Sequence, residues 1–229
     1  KEGTEFYALT DGCVSFARNT LEVSPVYVVR GNVDYSTGNI VFNGSVQVKN
    51  DILSDFKIKA EKDIYIDGIC QDAHLEAGGN IIIKLGIKGD LKGSIKAKGD
   101  VIIGYAEGAN IEAKGNIEIM KYAYHSKLKA GGKIEAIKEP GVIAGGSVAA
   151  FEEVRIIQAG TSGNSRFLIN VGTKFYFADE MDALKKTQLK YEENKAKIDE
   201  FLGSVNLKKK EVLANPKVRQ LITMRKQID

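Results

Sequence analysis

The chain has little proline, little cysteine and no long apolar run, and each shortage narrows what it can be. Three prolines beside 24 glycines in 229 residues describe many tight turns made without proline, a pattern of turn-rich β structure rather than of a disordered tail. The two cysteines, Cys13 and Cys70, stand far apart, which excludes a framework of spaced disulfides and suits free thiols in a reducing compartment. No apolar stretch approaches the roughly 20 residues that span a bilayer. Charge of one sign is also missing. Net charge is +3, with 21 basic and 21 acidic residues over 1–178 and 12 and 9 over 179–229. Neither part is a polycation, so a nucleic-acid footprint is not expected. The chain starts at Lys1 without a signal-peptide pattern or initiator Met, which reads as a fragment of something longer.

What is present is a repeat. Ile95 to Ile103 reads apolar-x-Ala97-x-Gly99-x-apolar-x-apolar, and Ile111 to Ile119 repeats it with Ala113 and Gly115. The same frame starts at Ile58, Leu75 (Ala77, Gly79), Leu128 (Ala130, Gly132) and Val142 (Ala144, Gly146), with Lys62 where one glycine should be. A degenerate copy starts at Asp34, with Ser36, Gly38, Ile40 and Phe42. The starts are 24, 17, 20, 16, 17 and 14 residues apart.

Alternation with period two is the strand signal, because successive side chains point to opposite faces. Ile95, Ala97, Val101 and Ile103 share one face, and Lys96, Lys98 and Asp100 share the other. A unit of about 17 residues is too short for a propeller blade and suits one coil of a parallel β-helix, stacked at roughly 4.8 Å per coil. Like residues then lie on like: Ala77, Ala97, Ala113 and Ala130 form one ladder and Gly79, Gly99, Gly115 and Gly132 another. The glycine falls at a corner, where a positive φ is expected. Val46 with Val48, Ile69 with Cys70, and Leu85 with Ile87 supply the remaining walls. The expected fold is mainly β, a single-stranded right-handed parallel β-helix of about seven coils over 32–172. The right hand is favoured because left-handed helices keep strict hexapeptide periods.

Residues 1–31 read as a β meander capping the open end, with Asp11-Gly12 as a hairpin signal and Val26 to Val29 as one of its strands. Residues 177–229 change period. Leu184, Tyr191 and Ile198 lie seven apart and Leu202 four further on, the stripe of an amphipathic helix with coiled-coil character. A second helix begins at Asn215-Pro216 and carries Leu221. The two make a C-terminal α-helical hairpin that looks cut short.

The stretches FYALTDGCVSF, VVRGNVDYSTGNIVFNGSVQV, LEAGGNIIIKLGIKGDLKGSIKAKGDV and LKAGGKIEA, followed by a helical hairpin, resemble the bacterial flagellar assembly protein A family. The resemblance implies a cytoplasmic β-helix protein with a coiled coil, linked to flagellar assembly or cell-envelope organisation. It supplies no catalytic residues, and an upstream domain would be mostly missing.

Candidate chemistry is sparse. His74 and His125 have no Cys or His at metal-ligand spacing, so no metal or other cofactor is expected. Cys70 reads as a buried small hydrophobe. Asp63, Asp67, Asp72, Asp90 and Asp100 fall mainly at turns, where Asp has local backbone reasons to sit. The glycine doublets lack a phosphate-loop context. Lys208-Lys209-Lys210 is a solvated run whose second reading is weak contact with a membrane surface. The expected function is a non-enzymatic scaffold working by protein–protein interaction, with Leu184, Tyr191, Ile198, Leu202 and Leu221 as the partner-binding stripe and a second copy as one candidate partner. Two alternatives stand beside it: a bactofilin-like polymer, and a carbohydrate-active β-helix enzyme with a wall of clustered acids.

Overall fold

The structure is a computed structural model describing residues 7–9, 12–17, 19–162, 166–172, 185–197 and 199. It divides into two compact units, Lys1–Lys174 and Phe175–Asp229. Alternation in the first unit drives parallel pairing at one-coil intervals, because that register stacks the inward rows of apolar residues on one another. The result is a β-solenoid with three walls.

The first wall stacks Ile40–Phe42, Lys57–Ala60, His74–Ala77, Ser94–Ala97, Asn110–Ala113, the end of Ile117–Ala130, the end of Val142–Ala150 and Phe167–Val171. The second begins with Val26–Val29 and Ser45–Val48 and runs through Ile64–Ile66, Ile81 to Ile83, Val101 to Ile103, Ile117 to Ile119 and Lys133–Ala136 to Glu153–Ile156. The third starts as isolated bridges at Val33 and Ile52 and continues through Ile69–Gln71 to Gln158–Ala159.

The expected ladders are present. Ala60, Ala77, Ala97, Ala113 and Ala130 lie in register and are buried, and Ile117 lies on Val101. Val46 and Val48 face the core on the second wall, and Cys70 and Ile87 on the third. Their neighbours Ile69 and Leu85 stand on the outer face, Leu85 exposed.

Four expectations need correction. The first wall has eight strands, so the solenoid has about eight turns rather than seven. Its first strand, Val26–Val29, pairs in parallel with Ser45–Val48 and so belongs to the solenoid rather than to a meander. Of the meander the described residues show one antiparallel hairpin, Cys13–Ala17 with Thr20–Ser24, with left-handed Asn19 between its strands, while Asp11 of the expected Asp11-Gly12 turn lies outside the described residues. Ser36 and Gly38 are not strand positions. Asp34 accepts hydrogen bonds from the Ser36 N–H (2.8 Å) and hydroxyl (2.6 Å), and its carbonyl accepts from Thr37 and Gly38, closing a turn. Ile40 and Phe42 then lie on Ile58 and Ala60, putting a phenylalanine at the foot of the alanine ladder. The copy read at Val142 is also displaced. Val142 and Ala144 lie on the third wall, over Tyr122 and Tyr124, and Val148 to Ala150 complete the first.

The corner glycines have a different cause from the one expected. Gly79, Gly99, Gly115 and Gly132 do not have positive φ. Each sits above an Asp or Asn of the coil below. A Cβ would collide with Oδ1 of Asp63, Asn80, Asp100 and Asn116 respectively. That same oxygen accepts the N–H of the next residue: Asn80 from 17 residues on (2.7 Å), Asp100 from 20 (2.8 Å), Asn116 from 16 (2.7 Å) and Lys133 from 17 (2.9 Å). The corner ladder is made of side chains because the backbone ladder breaks where the chain turns. It also explains Lys62. Below it stands Ser45, whose shorter hydroxyl takes the Asp63 N–H at 3.4 Å and leaves room for a Cβ. Glu152 needs no glycine either, since Lys133 lies below. The same arrangement recurs at Gly68, above the Asp51 Oδ1 that accepts the Ile69 N–H at 2.7 Å, but it is not universal, since Asn50 and Phe56 precede N–H groups that donate to Asn32 and Asn39.

The steric rule yields a double-mutant test. Gly132→Ala is expected to cost about 2 kcal/mol by displacing the Asn116 side chain and orphaning the Lys133 N–H. In an Asn116→Ala background the same change is expected to cost under about 0.5 kcal/mol, because the oxygen it collides with is gone. Equal costs in the two backgrounds, measured by denaturant unfolding, would refute the side-chain explanation.

Candidate functional site

At the corner between the third and first walls, one coil stands out from its two neighbours. Two residues cross that corner in the coils on either side, Asp72-Ala73 and Gly108-Ala109, whereas five, Gly89 to Gly93, cross it between Ile81–Lys88 and Ser94–Ala97. The extra residues are held by the Asp72 carboxylate, which accepts hydrogen bonds from the backbone N–H groups of Asp90 (3.0 and 3.1 Å), Lys92 (3.2 Å) and Gly93 (3.1 Å). The Leu91 N–H donates to the Gly108 carbonyl at 2.7 Å. This tether fixes Leu91 at φ +63°, a left-handed conformation that a bulky residue rarely takes.

The loop overhangs a notch of about 540 Å³ lined by Gly89, Asp90, Leu91, Glu107, Gly108, Tyr124 and His125. His125 is also left-handed, at φ +49°, and the missing side chain of Gly145 makes room for its imidazole. Ser126, buried, pins the turn by donating to the Tyr124 carbonyl (2.8 Å) and accepting from the Ala109 N–H (3.1 Å). Tyr124 ends a run of three rings on the outer face. Tyr105 stacks on Tyr122 of the next coil at 5.4 Å between centroids, and Tyr122 on Tyr124 at 4.7 Å. Gly86 below leaves space for the Tyr105 ring. The Tyr122 hydroxyl donates to Glu107 Oε1 at 3.0 Å. Partial burial and the nearby Glu107 carboxylate push the Tyr105 and Tyr122 phenols up, so both stay protonated at neutral pH.

The outer faces of the walls are otherwise charged. Lys59, Glu76, Lys96, Glu112 and Lys129 alternate in sign up the first wall, with Lys59 and Glu76 paired at 3.1 Å. On the second, Asp67 lies between Lys49 and Lys84, whose hydrogen bonds hold its carboxyl below the usual range. Exposed pairs of this kind contribute little stability.

The expected site residues fare unequally. Gly79, Gly99, Gly115 and Gly132 are structural, as are the alanines beside them. Cys70 is fully buried, and burial pushes its thiol up to about 12. His74 bonds Ser94 Oγ across the first wall at 3.0 Å. Of the helical stripe, only Tyr191 falls on the described helix, 185–197, where it is 56% exposed. Leu184, Ile198, Leu202 and Leu221 lie outside the described residues, as do the second helix and Lys208 to Lys210. Among the described residues no three His, Cys, Asp or Glu side chains could hold a metal ion, and no helix is long and apolar enough to cross a membrane. The aspartates do sit at turns, but the oxygens of Asp63, Asp72 and Asp100 serve the next coil rather than their own backbone. The notch was invisible as a site in the sequence because its residues come from three coils. The available signal was the three extra residues between Lys88 and Ser94, together with tyrosines 17 apart at 105 and 122.

A family model described as the Flagellar Assembly Protein A beta solenoid domain matches residues 25–228. No curated protein and no solved structure matches the chain.

Two outcomes test this local account. Asp72→Ala is expected to lose about 2 kcal/mol and to speed hydrogen exchange at Asp90, Lys92 and Gly93, whereas Asp72→Asn, which keeps an acceptor oxygen, retains most of both. A thiol reagent at pH 8 is expected to modify Cys13 in the native protein and Cys70 only in denaturant, since reaction needs an accessible thiolate. Native labelling of Cys70 would contradict its burial.

Proposed function

This chain belongs to the flagellar assembly protein A family, and on that footing we propose that it is a non-enzymatic cytoplasmic scaffold acting in flagellar assembly by holding protein partners. The observation that carries the reading is the family match over residues 25–228. The physical character of the first unit supports it. A solenoid whose coils are locked by axial backbone bonds and side-chain ladders presents its outer faces at fixed spacings, as a scaffold requires. The amphipathic stripe of Leu184, Tyr191, Ile198, Leu202 and Leu221 supplies a second means of association, with another copy or with another protein.

End-to-end polymerisation is the second reading. It is favoured by the last coil, where Ile169 and Val171 continue the inward rows yet remain 40% and 53% exposed.

Light scattering on a sizing column over a hundredfold concentration range separates the two. A monomer or closed dimer is expected, and a dimer should dissociate when residues 179–229 are removed. A mass that rises without limit, or filaments in electron micrographs, would favour the polymer. In the source bacterium, deleting the coding sequence is expected to reduce the number of flagella and swimming. Normal flagellation would overturn the flagellar assignment.

A further inference from the structure

We propose that the notch at Tyr124 is a recognition site for an arginine side chain presented by a protein partner. The proposal deepens the scaffold reading by assigning one surface and one chemistry to the partner.

Charge complementarity is the first argument. Among the described residues lining the notch are the acidic side chains of Asp90 and Glu107 and no lysine or arginine. Elsewhere on the outer faces Glu76, Asp67, Glu118, Glu135 and Glu153 each meet a lysine or arginine. Among the described residues neither Asp90 nor Glu107 has a cation within 4.0 Å. This holds although Lys88 is the register neighbour of Glu107. Glu107 is oriented instead by the Tyr122 hydroxyl.

Ring geometry is the second. Tyr124 is the terminal member of the three-ring stack and lines the notch. A guanidinium is flat, stacks on an aromatic face and donates two parallel hydrogen bonds to a carboxylate, so a ring beside carboxylates fits it better than it fits a compact ammonium. The volume of about 540 Å³ lies within the roughly 300–1,000 Å³ typical of ligand pockets, which admits the side chain with its flanking backbone.

The third argument is preorganisation. Leu91 and His125, both left-handed, flank the notch and are held by the Asp72 and Ser126 bonds. Strained backbone persists where its surroundings over-determine it, and such places cluster at ligand clamps. A rigid receptor loses less freedom on binding.

The test is a titration of the purified chain with acetyl-Gly-Arg-Gly-amide, followed by tyrosine fluorescence, which the absence of tryptophan leaves unobscured. A saturable, low-millimolar change is expected that weakens with salt. It should weaken at least tenfold in Asp90→Asn/Glu107→Gln and in Tyr124→Leu, each checked for an unchanged thermal midpoint, and stay unchanged in Glu118→Gln on the second wall. The citrulline peptide, uncharged but nearly isosteric, should not bind. Equal binding of the citrulline peptide, an arginine response that survives both notch variants, no response to the arginine peptide, or Tyr124-dependent binding of maltotriose in its place would overturn the proposal. Failure here leaves the flagellar reading intact, because that reading is scored by flagellation. A strain with normal flagella would likewise leave this titration standing.

Discussion

Hydrogen bonds parallel to the axis hold the coils together, and they run out at the corners. Along each wall the N–H of one coil meets the carbonyl of the next, as where Ile81 donates to Asp100 and Val101 to Asn116. Where the chain turns, the next N–H has no carbonyl in line. An Asp or Asn side chain from the coil below supplies the oxygen, and the residue before that N–H must then give up its Cβ. At the corner between the first and second walls one constraint therefore couples two sequence positions about a coil apart: an Asx here goes with a glycine there. Ser45 under Lys62 and Lys133 under Glu152 show the converse, since no Asx below means no glycine above.

That coupling explains how much of the fold the sequence displayed and where the reading slipped. Alternation of period two identifies strands and their inner faces, and the recurring alanines and glycines identify the coil. But alternation is blind to which wall a strand occupies. Ile40 and Phe42 alternate as Ile64 and Ile66 do, yet belong to the first wall, because the Asp34 turn consumes the residues that were counted as the preceding strand. Val142-x-Ala144-x-Gly146 fits the repeat frame by composition alone. Its Gly145 and Gly146 are left-handed residues that carry the chain from the third wall to the first. The copy that stacks there, Val148 to Ala150, has no glycine because the coil below offers no Asx. A frame read within one repeat could not see this. Pairing each glycine with the residue one coil earlier would have.

The same physics confines variation. An added residue inside a wall would shift the register and turn the inner row outward, so extra length is tolerated only at corners. One such corner, with three more residues than the same corner of its neighbouring coils, is the one beside Tyr124, where Asp72 turns what would be a loose loop into a fixed rim. The candidate site was illegible for a related reason. Its members, at 89–91, 107 and 124–125, are brought together by stacking across coils, and nothing in any single coil marks them as a group.

Rigidity also bears on what kind of work the notch can do. The notch is built from parts held against motion: Tyr122 by its two neighbouring rings and Glu107, Tyr124 by Ser126, and the loop by a carboxylate accepting three backbone N–H groups. A receptor of this kind gains by losing little freedom when its ligand arrives. Wall carboxylates such as Glu76, Glu118 and Glu135 pair with lysines and arginines of the same chain, while among the described residues those of the notch have no such partner. A partner that brings its own cation would complete there the pairing that the chain completes for itself on the walls.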